Sequence, residues 1–143
     1  MDYIEISFTA ESGEIDSDFC RTVDEMFILI NPSTAHFQQI WLPPVDVCET
    51  PDEILILAEI AGVSKKDLRV EISHRRVKIF GRRRERHIEG NTSYCLAEIP
   101  YGYFERTLAL FVPIEMGAVS ATYTDGLLQI RMPKTPLAED ALE

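Results

Sequence analysis

Arg82-Arg83-Arg84-Glu85-Arg86-His87 is the densest charge run in the chain. Cations grouped in this way can neutralise the phosphates of a nucleic acid, but single-strand binding also asks for aromatic rings on which bases stack. None stands beside the run in the sequence. The run therefore reads as the solvated part of a long loop that pairs with acids of another chain. The three cysteines, Cys20, Cys48 and Cys95, are odd in number and far apart, so they draw neither a disulfide framework nor a Cys-x-x-Cys metal site. They read as reduced, half-buried thiols. His36, His74 and His87 are just as scattered, with none at the spacing of a zinc pair. The sequence holds no Gly-x-Ser-x-Gly, no phosphate-cradling glycine loop and no His-Glu-x-x-His. The expectation is a protein without catalytic residues, cofactor or metal.

Charge and composition narrow the class further. The formal net charge of −10 is unevenly spread. Before Trp41 the acids Asp2, Glu5, Glu11, Glu14, Asp16, Asp18, Asp24 and Glu25 face a lone Arg21, and the remainder is nearly balanced. An acidic arm on a nearly neutral domain argues against nucleic acid as a partner. No apolar stretch approaches the roughly 18 residues that span a bilayer, and Met1–Glu5 lacks the basic and apolar regions of a secretory leader. The expectation is a cytoplasmic protein with no membrane partner.

The elements that must position any site fall into two regions. Within residues 1–40, Tyr3–Phe8 alternates apolar and polar like a short strand. Phe19, Cys20, Val23, Met26, Phe27 and Ile30 then recur at helical spacing, which predicts an amphipathic helix over 17–30 with Ser17 as its cap and Asn31-Pro32 as its stop. From Pro43 the texture is that of strands: Val45–Cys48, the nearly all-apolar Glu53–Ala61, the alternating Leu68–Ile72, then Val77–Gly81, Tyr103–Val112, Ala118–Tyr123 and Leu127–Met132. Asp125-Gly126 is a turn. Residues 82–97 form a long polar connection with a strand-like piece at Thr92–Leu96, and a loop of that length in a compact domain usually has a function. Without alternating helices a parallel sheet is excluded, leaving an all-β, immunoglobulin-like sandwich of two antiparallel sheets with a partly helical N-terminal arm.

Four collinear segments resemble the small heat-shock proteins and their α-crystallin domain, in the prokaryotic type. Ala121-Thr122-Tyr123-Thr124-Asp125-Gly126-Leu127-Leu128 leading to Met132-Pro133-Lys134 resembles the closing motif, with Asp125, Gly126, Leu127 and Leu128 as its marks. Pro44–Thr50 resembles the opening strand. Ala58–Leu68 resembles the family's Glu-(Leu/Ile)-Pro-Gly-Val turn, with Gly62 in place and Ala61 where proline is usual. Tyr101-Gly102-Tyr103-Phe104-Glu105-Arg106 resembles the Tyr-Gly-x-Phe-x-Arg before the long strand. The stretch from Tyr101 to Pro113 is about two residues longer than usual, which predicts a bulge or shifted turn.

The resemblance implies an α-crystallin domain over 41–134, a dimerisation loop at 82–97 and a short tail at 135–143. It implies an ATP-independent holdase that binds unfolding client proteins, prevents their aggregation, and passes them to ATP-dependent chaperones. Its building block would be a homodimer, with higher oligomers built from it, in which Thr92, Tyr94 and Leu96 meet Val45 and Val47 of the other chain and Arg106 lies at the interface. An apolar groove lined by Leu68, Val70, Ile72, Val119 and Ala121 would take clients or an Ile-x-Ile/Val tail, as would an arm carrying Phe8, Phe19, Met26, Phe27, Phe37 and Trp41. The tail here has no such motif: Leu137-x-Glu139 stands in its place. Ile4-Glu5-Ile6 in the arm is itself an Ile-x-Ile and is a candidate to dock in the groove. A CS-type adaptor sandwich binding one specific folded partner is the alternative.

Overall fold

A computed structural model describes residues 3–8, 13–15, 40–86, 90 and 92–136. Nine strands run in the order β1 (Tyr3–Phe8), β2 (Gly13–Ile15), β3 (Val45–Glu49), β4 (Glu53–Glu59), β5 (Leu68–Ser73), β6 (Arg76–Arg83), β7 (Gly102–Ala109), β8 (Ser120–Thr124) and β9 (Leu127–Pro133). Every pairing is antiparallel. One sheet has the order β2-β1-β5-β6-β7 and the other β3-β4-β9-β8.

Period-two alternation decides which side chains meet between the sheets. Leu68, Val70 and Ile72 of β5 and Val77 and Ile79 of β6 are fully buried, and Ile54, Ile56, Ala58, Leu128, Ile130 and Met132 face them from β4 and β9. The intervening positions carry Arg69, Lys78, Leu57 and Arg131. Each fully buried aliphatic chain contributes about 1.5–3 kcal/mol relative to exposure.

Two motifs separated by some sixty residues dock on each other. The two-residue connection between β8 and β9 has Asp125 at φ 55° and Gly126 at φ 81°, the positive pair that a tight hairpin turn of this hand requires. Gly126 accepts a hydrogen bond from the Ile60 amide at 2.9 Å, and a Cβ there would stand 2.8 Å from the Ala61 Cα. The packing of this turn on the Ala61-Gly62 bend explains why those residues occur together. Gly81 meets a closer constraint, since a Cβ would fall 2.0 Å from the Asp67 carbonyl oxygen.

The structure redraws the sequence reading in four places. The arm is not separate from the sandwich, because β1 and β2 extend one of its sheets. Thr92–Leu96 forms no strand. The long strand at 103–112 ends at Ala109, and the extra residues enter the connection before Ile114, with Phe111 projecting at 92% exposure. Cys48 and Cys95 are exposed rather than half-buried. The expected helix at 17–30, with Phe19, Met26 and Phe27, lies outside the described residues, as do Phe37 and Leu137–Glu143.

Candidate functional site at the two sandwich edges

The five groove residues expected from sequence come together. Leu68, Val70 and Ile72 lie on β5, Ala121 on β8, and Val119 just before it. β8 is an edge of its sheet, and β5 would be the edge of the other without the N-terminal strands. The groove between them is closed. β1 pairs along β5 with Ile4 opposite Ile72 and Ile6 opposite Val70, and all five lining residues are at most 5% exposed. Ile6 and Phe8 are buried with them. Phe8 is therefore a core side chain in this state and not a free client contact, because the alternation that turns Ile4 and Ile6 inward also turns Phe8 inward.

Tyr123 of β8 forms a wall of the groove that the sequence reading missed. Its ring lies edge-on to Phe8 at 6.4 Å between centroids, with 72° between the planes, a favourable aromatic geometry. Its hydroxyl proton is shared between the carbonyls of Ile60, at 2.9 Å, and Val63, at 2.8 Å. Burial pushes this hydroxyl above the ordinary tyrosine pKa. The missed signal was its place in the alternation Ala121, Tyr123. On the outer face of β1, Glu5 is buried and forms an ion pair with Arg69 Nε at 3.2 Å. The hairpin is thus held by backbone pairing, apolar burial and charge together.

The opposite edge is open. β3 has no described neighbour on its outer side, Val47 is 54% exposed, and Val45 is half-buried. Residues 92–100 are all exposed, including Tyr94, Ile99 and Leu96 at 75%. Tyr94 donates its hydroxyl to Glu85 Oε1 at 2.6 Å, and this hydrogen bond raises its pKa. Arg106 donates to the Pro43 carbonyl at 3.1 Å, so it fixes the lead-in to β3 within its own chain.

Arg82, Arg83 and Arg84 of the arginine run are engaged inside the molecule, where acids of another chain were expected. Arg83 stacks 4.1 Å from the Trp41 ring and 5.6 Å from Tyr101, and donates to the carbonyls of Pro100 and Ala61. Arg84 makes a two-point pair with Asp67 at 2.9 and 3.1 Å, which holds the Asp67 carboxyl below the usual carboxylate range. Arg82 lies over Tyr103 at 6.0 Å. The aromatic partners absent beside the run in sequence arrive through the fold. Trp41 is accordingly a clamp: its indole donates to the Gly102 carbonyl at 3.2 Å, and its backbone bridges to Phe104. Among the described residues no group of three or more His, Cys, Asp or Glu could hold a metal ion, and no helix is long and apolar enough to cross a membrane.

A two-sheet antiparallel sandwich with a groove between edge strands and an open strand opposite is the architecture of an α-crystallin domain. The chain belongs to the Hsp20/alpha crystallin family, whose model matches residues 46–142. Small heat shock protein C2 of Rickettsia felis is 29% identical over 122 residues, covering 85% of this chain and 78% of the relative. A probable 15 kDa heat shock protein of Leptospira interrogans is 31% identical over 96 residues, covering 67% and 72%. Among solved structures, heat shock protein 16.0 from Schizosaccharomyces pombe superimposes with a TM-score of 0.62 at 27% identity, covering 69% of this chain and 92% of that one. The hspA structure from Xanthomonas axonopodis gives 0.62 at 27%, covering 70% and 100%. Membership of this family gives the chain a chaperone role.

Proposed function

We propose that this protein is an ATP-independent holdase that binds apolar segments of unfolding proteins, keeps them from aggregating, and releases them to ATP-dependent chaperones. The observation that carries this reading is the apolar groove between β5 and β8, covered by a strand of the chain itself. A site of that kind is available when the strand leaves and protected when it returns. Its lining, Leu68, Val70, Ile72, Val119 and Ala121, is then offered to clients, and the released arm adds Phe8 to Phe19, Met26, Phe27 and Phe37 as further apolar contacts. Burial of apolar area at about 25 cal/mol per Å² drives such capture without sequence specificity.

The dimer is built at the other edge. Val45 and Val47 of β3 receive Thr92, Tyr94 and Leu96 of a second copy, whose segment becomes a strand on pairing. Three observations support this: the outer side of β3 is open, Val47, Tyr94 and Leu96 are exposed, and backbone groups on an edge strand favour an added strand.

The test is to heat an aggregation-prone protein without ATP and follow turbidity, with this chain present at a comparable subunit concentration. Suppression of scattering is expected. Unchanged scattering rejects the holdase reading, and retention of one folded partner in its place would favour an adaptor.

A further inference from the structure

Cys48 and Cys95 are both exposed, free thiols, and they sit on the two segments that form the dimer in the reading above, on which this inference rests. Their positions along those segments are related by side-chain alternation. Val45 pairs with Ala58, Val47 with Ile56, and Glu49 with Ile54, whose side chains are buried between the sheets. Asp46 and Cys48 pair with Leu57 and Leu55, so Cys48 stands on the outer face of its sheet. In an extended 92–96 segment, Thr92, Tyr94 and Leu96 share one face, while Ser93 and Cys95 share the other. With the 92–96 segment antiparallel to β3 and Leu96 opposite the exposed Val47 on the inner face, Cys95 stands on the outer face directly opposite Cys48.

We propose that Cys48 of one protomer and Cys95 of its partner form a redox-sensitive crosslink across the dimer edge. Directly opposed residues of antiparallel strands lie about 4.5–5.5 Å apart at Cα, within the roughly 4.4–6.8 Å that a disulfide spans. Two-fold symmetry makes each such bond occur twice per dimer. The oxidant is a peroxide. One cysteine sulfur attacks the O–O bond and becomes a sulfenic acid, and the first water leaves with the thiol proton. The partner's thiol sulfur then displaces the hydroxyl, which takes that thiol's proton and leaves as the second water. Two thiols lose two electrons, the peroxide gains them, and one S–S bond forms. A thiol reductant reverses the reaction. In a reducing compartment the bond is transient, as a sensing disulfide is. It locks together two strands that otherwise separate with the dimer.

The experiment treats the full chain carrying Cys20→Ser with hydrogen peroxide and compares it with the reduced protein by light scattering, non-reducing electrophoresis and peptide mapping. The expected result is a dimer before and after oxidation, a reductant-reversible dimer band after it, and a linked Cys48–Cys95 peptide. Further substitution Cys48→Ser or Cys95→Ser reduces the band to background. A native dimer whose two thiols stay titratable overturns the crosslink and leaves the dimer standing. A Cys48–Cys48 or Cys95–Cys95 peptide, or a Cys48–Cys95 link within one chain that migrates as monomer, overturns it equally. A protein that is monomeric under reduction and forms no link overturns the dimer reading and the crosslink with it.

Discussion

The β5 edge and the β3 edge face the same physical problem, and the chain treats them in opposite ways. Each strand would present a row of unpaired amides and carbonyls, together with apolar side chains that point past the last strand of the sheet. At β5 the chain supplies its own cover: β1 satisfies the backbone, Ile4 and Ile6 stand opposite Ile72 and Val70, and the three-residue β2 leaves a short outer edge. At β3 nothing among the described residues covers the strand, and Val47, Leu42 and Leu96 remain in solvent. An edge closed from within adds stability to the single chain. An edge left open among the described residues leaves that gain to assembly, where the proposed dimer would supply the missing strand.

The sharpest way to break the contrast is Phe8→Ala. A large buried ring removed from the covered edge is expected to cost about 3–5 kcal/mol of folding stability. Chemical denaturation measures the loss, and binding of an apolar-sensing dye should rise as the groove opens. Stability within error of the parent chain would mean that the N-terminal strand contributes little to the fold. A smaller effect on the same edge is expected from Tyr123→Phe, which keeps the ring against Phe8 and removes the proton shared by the Ile60 and Val63 carbonyls. About 1–2 kcal/mol should be lost, with the melting temperature lowered and the dye signal nearly unchanged. The smallest effect on the fold is expected at the open edge: Val47→Lys should leave single-chain stability within about 0.5 kcal/mol. Light scattering should nevertheless show the mass falling to that of one chain, and a variant that remains dimeric would place the assembly contact elsewhere.

Much of this was legible in the sequence, and the pattern of what was not is physical. Leu68, Val70 and Ile72 announced a half-buried strand through alternation, and Asp125-Gly126 announced a tight hairpin, because both signals are local. Ile4-Glu5-Ile6 could be read as a groove ligand, since an Ile-x-Ile places two branched side chains on one face of a strand. Phe8 continues the same face by the same local alternation, but that Tyr123 meets it depends on strands more than a hundred residues apart in the chain, which no window of sequence reports. The arginine run misled for the same reason. Arg83 found Trp41 and Tyr101, and Arg84 found Asp67, through a fold that brings residues 41, 67, 83 and 101 together. Thr92–Leu96 carries strand-like residues but forms no strand here, because a strand is a property of two backbones and no single segment holds both.

The covalent tie between β1 and the groove it fills has a quantitative consequence. A tethered segment acts at an effective concentration on the order of 1 mM. If the same peptide free in solution bound with a dissociation constant of about 1 μM, the tether would favour the filled groove roughly a thousandfold, or about 4 kcal/mol. An incoming apolar segment must overcome that ratio before it gains access. Under the proposed holdase function, the N-terminal strand would thus set a concentration threshold: sparse, transiently exposed segments would be ignored, and the groove yielded when unfolded chains become abundant.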